Sequence, residues 1–369
     1  MSDIGILTFH CADNFGAMLQ AYGLKAYLRK KNIEADIVPY EPPFMTGRYW
    51  WIPYVPLGSV SKVIRWGWRE WQSNLKLGRL FFKRKRNMRQ FRREYLIDKG
   101  QKRLFFISQL QKLPYQCFIV GSDQIWNPDI TFGLKKEYFG VFGNRSKKKV
   151  IAYAASMGKE ELAAKYDIEF SKLINSVDYI SVREKSAIPY INRFCEKSIL
   201  TVLDPVFLLR KDEWQRIEKM PKEKGYVFVY STETNDELVE YAKQLAKREN
   251  LLIINVNGCI DIVGNNILTD YTTGPSEFLG YIHKADYIVT NSFHGVAFSI
   301  IFQKKFKVFQ HSSLEARISN ILEMCGMDKL HQNDRGMEFE FQVEWDQVED
   351  RIQENVRLAE KYLMECLRA

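Results

Sequence analysis

Short apolar runs alternate with stretches of helical periodicity along most of the chain. This alternation is typical of α/β domains in which helices cover a parallel sheet. Strands are predicted at residues 5–9, 35–40, 115–120, 150–154, 179–182, 199–203, 225–231, 251–256, 286–290 and 306–310. Helices are predicted at residues 17–31, 160–174, 236–249, 275–284, 296–305 and 346–368. Because 369 residues exceed one typical domain, we expect two α/β domains.

Small or polar residues follow several of these strands, and such loops converge on the rim of a parallel sheet where ligands bind. His294 is predicted in a solvent-facing loop between the strand at 286–290 and the helix at 296–305. A helix N-terminus attracts anions and lowers the pKa of a nearby imidazole, so His294 can meet a phosphate or a carboxylate. The same position also suits a histidine that only caps the helix.

Two further strand ends contain candidate ligands. Arg183 directly follows the strand at 179–182, where it can bind an anion or pair with a carboxylate. In the first loop, Asp13 or Asn14 can cap the following helix, and Gly16 lets a ligand approach the backbone. That loop lacks the GxGxxG pattern, so it gives no evidence for a dinucleotide.

The segment of residues 44–106, here called the insert, interrupts the α/β rhythm. Between Arg48 and Arg103 it has 16 Lys or Arg against three acidic residues, a local charge of +13 in a chain of net charge +9. It contains five of the eight tryptophans: Trp50, Trp51, Trp66, Trp68 and Trp71. This mixture suits a membrane surface, nucleic acid or a polyanionic substrate, whereas a solvated helical hairpin needs no partner. Since Trp favours the headgroup boundary and no nucleic-acid motif is present, we expect an anionic membrane surface and no nucleic acid.

Cysteine usage and the apolar runs indicate a reducing, aqueous compartment. The six cysteines are scattered without a CxxC pair, which argues against a disulfide framework and against a structural zinc site. The longest uncharged apolar run, residues 287–303, contains polar residues and is predicted to be a buried strand and helix. Asp3 stands where a signal peptide would have positive charge. We expect a cytoplasmic protein that is peripheral at the inner face of the cytoplasmic membrane.

Five motifs stand out in the order in which they occur. They are GILTFHCADNFGAMLQAYGLKAYL near the start, VGSDQIWNP at 120–128, SVREKSA at 181–187, VLDPVFLL at 202–209 and TNSFHGVAFSIIFQKKF at 290–306. In this order and spacing they resemble the polysaccharide pyruvyl transferase family along nearly the whole chain.

The resemblance implies two Rossmann-like domains facing a cleft, as in GT-B glycosyltransferases, with the insert in the first domain. The domains would span residues 1–205 and 206–345, and a helix at 346–369 would pack back on the first. Members of the family transfer the enolpyruvyl group of phosphoenolpyruvate to a sugar and form a cyclic pyruvate ketal. Others have become glycosyltransferases. The implied partners are phosphoenolpyruvate as donor substrate, with no cofactor, and a lipid-linked saccharide as acceptor.

Two residues match functional positions of the family. By position, Arg183 matches an arginine that binds phosphoenolpyruvate, and His294 matches the family's histidine. Many members read Arg-Leu-His-Gly where this chain reads SFHG at 292–295, so one expected anion contact is missing. Arg317, further along the chain, is the candidate replacement.

The candidate site therefore has three parts and no metal-ligand cluster. The catalytic candidates, which must move protons near neutral pH, are His294 and Asp13. The donor-binding candidates are Arg183, Ser292, Gly295, Arg317 and Ser156. The acceptor-binding candidates are Asn14, Gly16, Asp123, Gln124 and Trp126.

Three hypotheses about function stay open at this point. The first is transfer of pyruvate to a hydroxyl pair of a lipid-linked, capsular or exopolysaccharide precursor. The second is an inverting glycosyltransferase with a nucleotide-sugar donor, which the missing arginine favours. The third is a non-catalytic membrane or nucleic-acid adaptor, which only the insert favours.

Overall fold

The computed structural model describes residues 2–54, 61–142, 148–256, 262–310, 315–328 and 343–369. Within them the chain forms two separate parallel sheets with helices against their faces. This confirms the predicted α/β class, with two Rossmann-like domains. The boundaries between the domains stay predictions. The first sheet ends at Thr201 and the second begins at Tyr226.

The first sheet has six strands, and all of its neighbouring pairs are parallel. They are β1 (Ile4–Leu7), β2 (Ala35–Ile37), β3 (Cys117–Gly121), β4 (Lys149–Ala155), β5 (Tyr179–Val182) and β6 (Ile199–Thr201). Their order in the sheet is β2-β1-β3-β4-β5-β6. The strand order reverses between β1 and β3, so the loops after these strands flank a crevice, which is the usual position of a ligand.

The second sheet has five parallel strands in the order β11-β10-β7-β8-β9. They are β7 (Tyr226–Tyr230), β8 (Leu252–Val256), β9 (Ile267–Asp270), β10 (Tyr287–Thr290) and β11 (Lys305–Val308). The strand order of this sheet reverses between β7 and β10. The loops after these two strands are in contact there, since the backbone N–H of Thr232 donates to Asn291 Oδ1 at 2.9 Å. Strand β9 was not predicted, because this short edge strand is partly exposed and ends in polar residues.

Helices cover both sheets. Up to residue 192 they are α1 (Phe15–Lys30), α2 (Pro43–Thr46), α3 (Ser61–Leu77), α4 (Arg79–Phe91), α5 (Ile107–Leu110), α6 (Pro128–Thr131), α7 (Asp167–Ile174) and α8 (Ile188–Asn192). After it they are α9 (Lys211–Gln215), α10 (Asp236–Glu249), α11 (Pro275–Lys284), α12 (Phe293–Ile301), α13 (Glu315–Met324) and α14 (Trp345–Arg368). A π-helical turn, Arg92–Leu96, continues α4 directly.

Helix α1 joins the two domains through a shared apolar core. The Phe15 ring stacks on Phe278 of the second domain with 4.7 Å between ring centroids. Further along the helix, Tyr22 lies against Trp214 at 5.5 Å. Burying an aromatic ring of this kind stabilises a structure by roughly 1.5–3 kcal/mol. The domains are therefore held together by packing on this side of the cleft.

The last helix, α14, contacts both domains. Its buried stripe comprises Val348, Ile352, Val356, Ala359, Leu363 and Cys366. Near its middle, Asn355 Nδ2 donates to the Met324 carbonyl at 3.1 Å in the second domain. Near its end, the Tyr362 hydroxyl donates to the Ala152 carbonyl at 2.9 Å in the first sheet. The helix thus packs back on the first domain, as the sequence predicts, and also spans the domain junction.

The insert forms a pair of helices, α3 and α4, that lie against the first domain. Gly78 between them has a φ of 51°, which glycine adopts without strain. Asn87 of α4 reaches the second domain, where its Nδ2 donates to the Thr272 carbonyl at 2.7 Å. Trp68 is 57% exposed, whereas the side chain of Trp66 lies outside the described part of the structure.

One predicted boundary bears directly on function. Helix α12 begins at Phe293 and not at residue 296, so His294 lies in its first turn. The loop is shorter because Ser292 already has the extended backbone of an N-cap residue and Phe293 is buried as the first helical residue. His294 is only 8% exposed. The prediction that it lies in a solvent-facing loop was wrong.

Candidate active site

Five charged or titratable side chains meet between the domains, and each is at most 8% exposed. This interdomain cluster consists of Arg183, Glu184, Asp204, His294 and Arg317. The first three follow strands β5 and β6 of the first domain, and the other two lie on α12 and α13 of the second. The cluster therefore exists only when both domains face each other.

Arg183 is the centre of the interdomain cluster. Its Nη1 donates to Asp204 Oδ2 at 2.8 Å, and its Nε lies 3.6 Å from Glu184 Oε1. The guanidinium also lies over the Phe293 ring, 4.5 Å from the ring centroid. Burial lowers the pKa of Arg183, but Glu184 and Asp204 outweigh burial and raise it, so the cation is permanent. Within the described residues, the buried Nε and Nη2 of Arg183 make no hydrogen bond.

Asp204 orients Arg183 because its own oxygens are fixed. Ser122 Oγ donates to Asp204 Oδ2 at 3.0 Å, and the backbone N–H of Val206 donates to Oδ1 at 3.1 Å. A carboxylate whose two oxygens are fixed by donors in this way holds the guanidinium in one position.

Arg317 reaches the cluster through Glu184. Its Nε lies 3.8 Å from Glu184 Oε1, the same oxygen that accepts a hydrogen bond from Ser156 Oγ. Burial lowers the pKa of Arg317 to about 10, and neighbouring Arg183 contributes to this, yet the side chain remains charged near neutral pH. Helix α13 is docked here by Asn320, whose Nδ2 donates to the Arg183 carbonyl at 2.8 Å. The structure thus brings both candidate arginines and Ser156 together.

His294 lies beside the same carboxylate that holds Arg183. Its Nε2 is 3.9 Å from Asp204 Oδ2 and makes no hydrogen bond within the described residues. Burial lowers the pKa of His294, although Asp204 and Asp123 oppose this, so the ring is neutral near pH 7. A neutral imidazole beside a carboxylate can accept a proton and is then stabilised as a cation.

Gly16 of the first domain permits this position of the histidine. A methyl group at Gly16 would overlap the His294 ring around Nδ1. The glycine was predicted to let a ligand approach the backbone. In the structure it lets a side chain of the other domain approach.

The residues flanking His294 have local structural roles. The backbone N–H of Ser292 donates to Thr290 Oγ1 at 3.0 Å, and Ser292 is buried beside the cluster. A side chain at Gly295 would overlap Thr290, so close packing requires the glycine. Donor binding by Ser292 and Gly295 stays a prediction.

The three predicted acceptor residues in the loop after β3 have different surroundings. Asp123 faces the cluster, with Oδ1 4.0 Å from Arg183 Nη2. Gln124 Oε1 accepts from Asn127 Nδ2 at 2.7 Å, which holds the side chain within its own loop. Trp126 is fully buried and its indole N–H donates to the Tyr138 carbonyl at 3.0 Å. Trp126 is therefore a core residue and offers no surface to an acceptor.

Asp13, a catalytic candidate, and Asn14, an acceptor-binding candidate, both contact neighbouring parts of the protein. Asn14 Oδ1 accepts from the Ala17 N–H at 3.1 Å and caps α1. Asp13 pairs with two insert residues, Lys85 and Arg92, the latter at 2.7 Å. Burial raises the pKa of Asp13, but these two cations outweigh burial and lower it. A carboxylate held this way is a weak base, so His294 is the stronger of the two candidates for proton transfer.

Three residues of the site were not among the candidates: Glu184, Asp204 and Asn320. Glu184 and Asp204 do follow predicted strands, and that position was the signal that could have identified them. Nothing in the sequence around Asn320 distinguishes it from other helical residues. Its role depends on contact between domains.

The cluster can bind an anion and move a proton, because it contains two guanidinium groups and one neutral imidazole. Its three carboxylates, with Asp123 included, leave the formal charge at −1. The guanidinium donors are therefore oriented by carboxylates, and an incoming anion must use the N–H groups that remain.

A comparison with protein families identifies the family of the chain. The model described as "Polysaccharide pyruvyl transferase" matches residues 14–313. The chain belongs to the polysaccharide pyruvyl transferase family. A member of this family is a transferase that moves pyruvyl groups to polysaccharide, so the interdomain cluster is the candidate centre of that transfer. A sequence comparison with curated proteins returned no match.

Solved structures similar to this pyruvyl transferase family member share low sequence identity with it. UDP-N-acetylglucosamine 2-epimerase from Rickettsia bellii is 10% identical, covers 99% of this chain and 98% of its own, and has a TM-score of 0.44. UDP-GlcNAc 2-epimerase from Neisseria meningitidis, bound to UDP-GlcNAc, is 10% identical with coverages of 98% and 99% and a TM-score of 0.47. E. coli heptosyltransferase WaaC with ADP is 11% identical with coverages of 95% and 99% and a TM-score of 0.40.

The described helices range from four to 24 residues in length. Over the described residues, none combines the length and the apolar character needed to cross a bilayer.

Proposed function

We propose that the enzyme transfers the enolpyruvyl group of phosphoenolpyruvate to two hydroxyls of one sugar. The product is a pyruvate ketal on a lipid-linked, capsular or exopolysaccharide precursor. The observation that supports this is the pair of buried Arg183 donors, Nε and Nη2, that no described residue accepts from. Buried donors of this kind are rare and call for a partner, and phosphate or carboxylate oxygens suit a guanidinium best.

The reaction requires a proton at the methylene carbon of the donor. Protonation makes C2 electrophilic, one sugar hydroxyl adds to C2, and a second hydroxyl displaces phosphate and closes the ketal. Two hydroxyl protons are lost: one is balanced by the new methyl C–H bond and the other leaves with phosphate. His294, neutral before the reaction, accepts a hydroxyl proton and returns it, while Asp204 stabilises the imidazolium.

The decisive experiment measures inorganic phosphate released from phosphoenolpyruvate in the presence of candidate glycolipids. We expect phosphate and pyruvylated glycolipid in equal amounts, and no consumption of nucleotide-sugars. Hydrolysis of nucleotide-sugars without any release of phosphate from phosphoenolpyruvate would reject the proposal.

A second experiment tests the donor contact. Arg183→Lys keeps the charge and loses the planar fork, so KM for phosphoenolpyruvate should rise about tenfold or more. Arg193→Lys is the matched control, since Arg193 is half-exposed and pairs with Glu161 at 3.1 Å. An unchanged KM for phosphoenolpyruvate in Arg183→Lys, with only the acceptor's KM altered, argues against this role.

A nucleotide-sugar donor is the second candidate function. The observation that favours it is the charge of the cluster, formally −1, together with Ser292 in place of the arginine of many members. Thermal shift with a panel of nucleotide-sugars and with phosphoenolpyruvate separates the two donors.

We also propose that the insert holds the enzyme at an anionic membrane, at the cytoplasmic face. Trp68 and Phe82 are more than half exposed beside basic residues of α3 and α4. Each Lys or Arg near such a surface contributes about 1 kcal/mol. Sedimentation should show binding to anionic vesicles that falls with salt, and weaker residual binding after Trp68→Ala and Trp71→Ala. Equal binding to neutral and anionic vesicles would contradict this.

A further inference from the structure

One cavity of the described structure lies away from the interdomain cluster. It lies between the insert and the β1–α1 loop, has a volume of about 1450 Å³, and is here called the basic cavity. Arg86, Arg89 and Arg93 line it, together with Tyr49 and Trp51. Sites for compact ligands are usually about 300–1,000 Å³, so this cavity has room for a larger molecule.

The three arginines of the basic cavity are available to a ligand. Positions 86, 89 and 93 are spaced so that they share one face of α4 and its π-helical continuation. All three are exposed, and no ion pair to a described residue involves any of them. The neighbouring Lys85 and Arg92 instead point to Asp13. The chain therefore separates structural cations from unpaired ones on the same helix.

Aromatic rings form another wall of the basic cavity. Trp51 stacks on Phe82 with ring centroids 5.2 Å apart and an interplanar angle of 17°. It also meets Phe81 edge-on at 5.2 Å. Flat aromatic faces suit the apolar faces of sugar rings and hydrocarbon chains. A ligand of this cavity should combine negative charge with such groups.

The basic cavity approaches the interdomain cluster along the β1–α1 loop. Asp13 of this loop lines the cavity. Gly16 follows Asp13 by three positions and lies in the first turn of α1, where a methyl group would overlap the His294 ring. The cavity and the cluster are therefore joined by a short stretch of chain.

We infer that the basic cavity binds the diphosphate group and first sugar of a polyprenyl diphosphate-linked saccharide, the acceptor of the reaction. This inference rests on the proposed function, because it names the class of acceptor for the same enzyme. Three arginines on one helix face match the several oxygens of a diphosphate, and the aromatic wall matches the adjoining sugar or isoprenoid. The reacting hydroxyls then extend toward His294 along the β1–α1 loop.

The test uses a soluble C15 isoprenyl diphosphate as the probe and titration calorimetry at about 150 mM salt. The triple variant Arg86→Gln/Arg89→Gln/Arg93→Gln should weaken probe binding by about tenfold or more. The matched control Lys76→Gln/Arg79→Gln/Lys83→Gln removes the same charge from exposed positions that do not line the cavity. It should change probe binding less than about twofold while weakening attachment to anionic vesicles. Thermal unfolding confirms that both variants stay folded.

Two further ligands show which part of the probe the cavity recognises. Inorganic diphosphate should compete with the probe weakly, and C15 isoprenyl monophosphate should bind less tightly, if both the diphosphate and the chain are recognised. Equal losses in the two triple variants would mean general attraction to a basic surface and would overturn the inference. Absence of probe binding to the wild type would do the same. Phosphoenolpyruvate binding should be unchanged in the cavity variant. Binding of the isoprenyl diphosphate probe is measured without phosphoenolpyruvate, so it tests the cavity even if the donor proposal fails.

Discussion

The interdomain cluster and the basic cavity both present arginines, but they hold them differently. In the cluster, Arg183 is buried and Asp204 contacts it at 2.8 Å. In the cavity, Arg86, Arg89 and Arg93 are exposed and lack ion pairs to described residues. The first arrangement fixes one guanidinium at a defined point. The second presents exposed cations along one face of a helix.

This difference separates two tasks of a transferase. Chemistry needs groups oriented in advance in a water-poor site, which buried, paired charges provide. Capture of a large anionic substrate needs attraction at a distance and tolerance of different shapes, which exposed cations provide. Substitutions in the two regions should therefore affect different measured quantities.

The largest effect is expected from His294→Gln, which nearly keeps the volume of the buried ring and removes the proton acceptor. Turnover should fall by about 10²- to 10⁴-fold. The control is His283→Gln. His283 lies in the same domain but outside the interdomain cluster, and its Nδ1 is 2.9 Å from Glu218 Oε2. A folded His294→Gln enzyme that turns over within a few-fold of wild type would remove His294 from the mechanism.

The same substitution at two arginines should change the free energy of unfolding by very different amounts. Arg183→Ala leaves Asp204 as a buried unpaired charge and should lower the free energy of unfolding by roughly 3–5 kcal/mol. Arg93→Ala removes an exposed side chain and should change it by no more than about 0.5 kcal/mol. Urea denaturation of both variants measures this contrast. Similar losses in the two would show that the regions do not differ as described.

Gly16→Ala tests whether the first domain positions His294. The added methyl group must displace the imidazole, and a misplacement of about 1 Å can reduce turnover on the order of 100-fold. Gly23→Ala, on the same helix, would approach the Pro205 carbonyl at 2.6 Å and strain α1 without touching His294. Both variants should lose stability. Only Gly16→Ala should lose kcat strongly, and equal kcat values in the two would contradict the assignment.

A smaller effect concerns His10, whose loop touches both regions. Burial lowers the pKa of His10 to about 3, and Arg92 of the insert adds to this. As pH falls from about 6.5 toward 3, the unfolded chain binds a proton that the folded chain does not, so stability decreases. By pH 5 the loss should be about 2 kcal/mol. The free energy of unfolding is measured at pH 7 and at pH 5 in both proteins. The difference between the two pH values should be smaller in His10→Gln than in the wild type by that amount. No change in the difference would show that His10 titrates normally.

Much of the first region could be predicted from the sequence, because the chain order of strands and loops reflects a parallel sheet. Arg183 and His294 follow apolar strands, and parallel topology brings strand ends to one edge. Arg317 was predicted only as a substitute for a missing arginine, and the structure places it at Glu184. The sequence could not show that Gly16 and Asn320 complete the site, since those contacts join distant segments.

Errors in the prediction have a common physical origin. Trp126 and Asp13 were assigned to the site because they lie in loops after strands. Such a position locates the backbone of a residue but does not determine the direction of its side chain. Trp126 turns into the core because an indole buries large apolar area and its N–H finds the Tyr138 carbonyl. Asp13 turns to the insert, whose packing no local pattern predicts. For the basic cavity, the sequence showed only that the insert is rich in basic residues and tryptophan. It did not show that these residues line a cavity.

Helix α14 has a mechanical consequence for this division of tasks. Its 24 residues form a strut about 36 Å long, fastened at Met324 on one side and at Ala152 on the other. The halves of the molecule cannot slide apart without breaking one of these attachments. A rotation about the strut would keep both attachments, and it would separate Arg183, Glu184 and Asp204 on the first domain from His294 and Arg317 on the second.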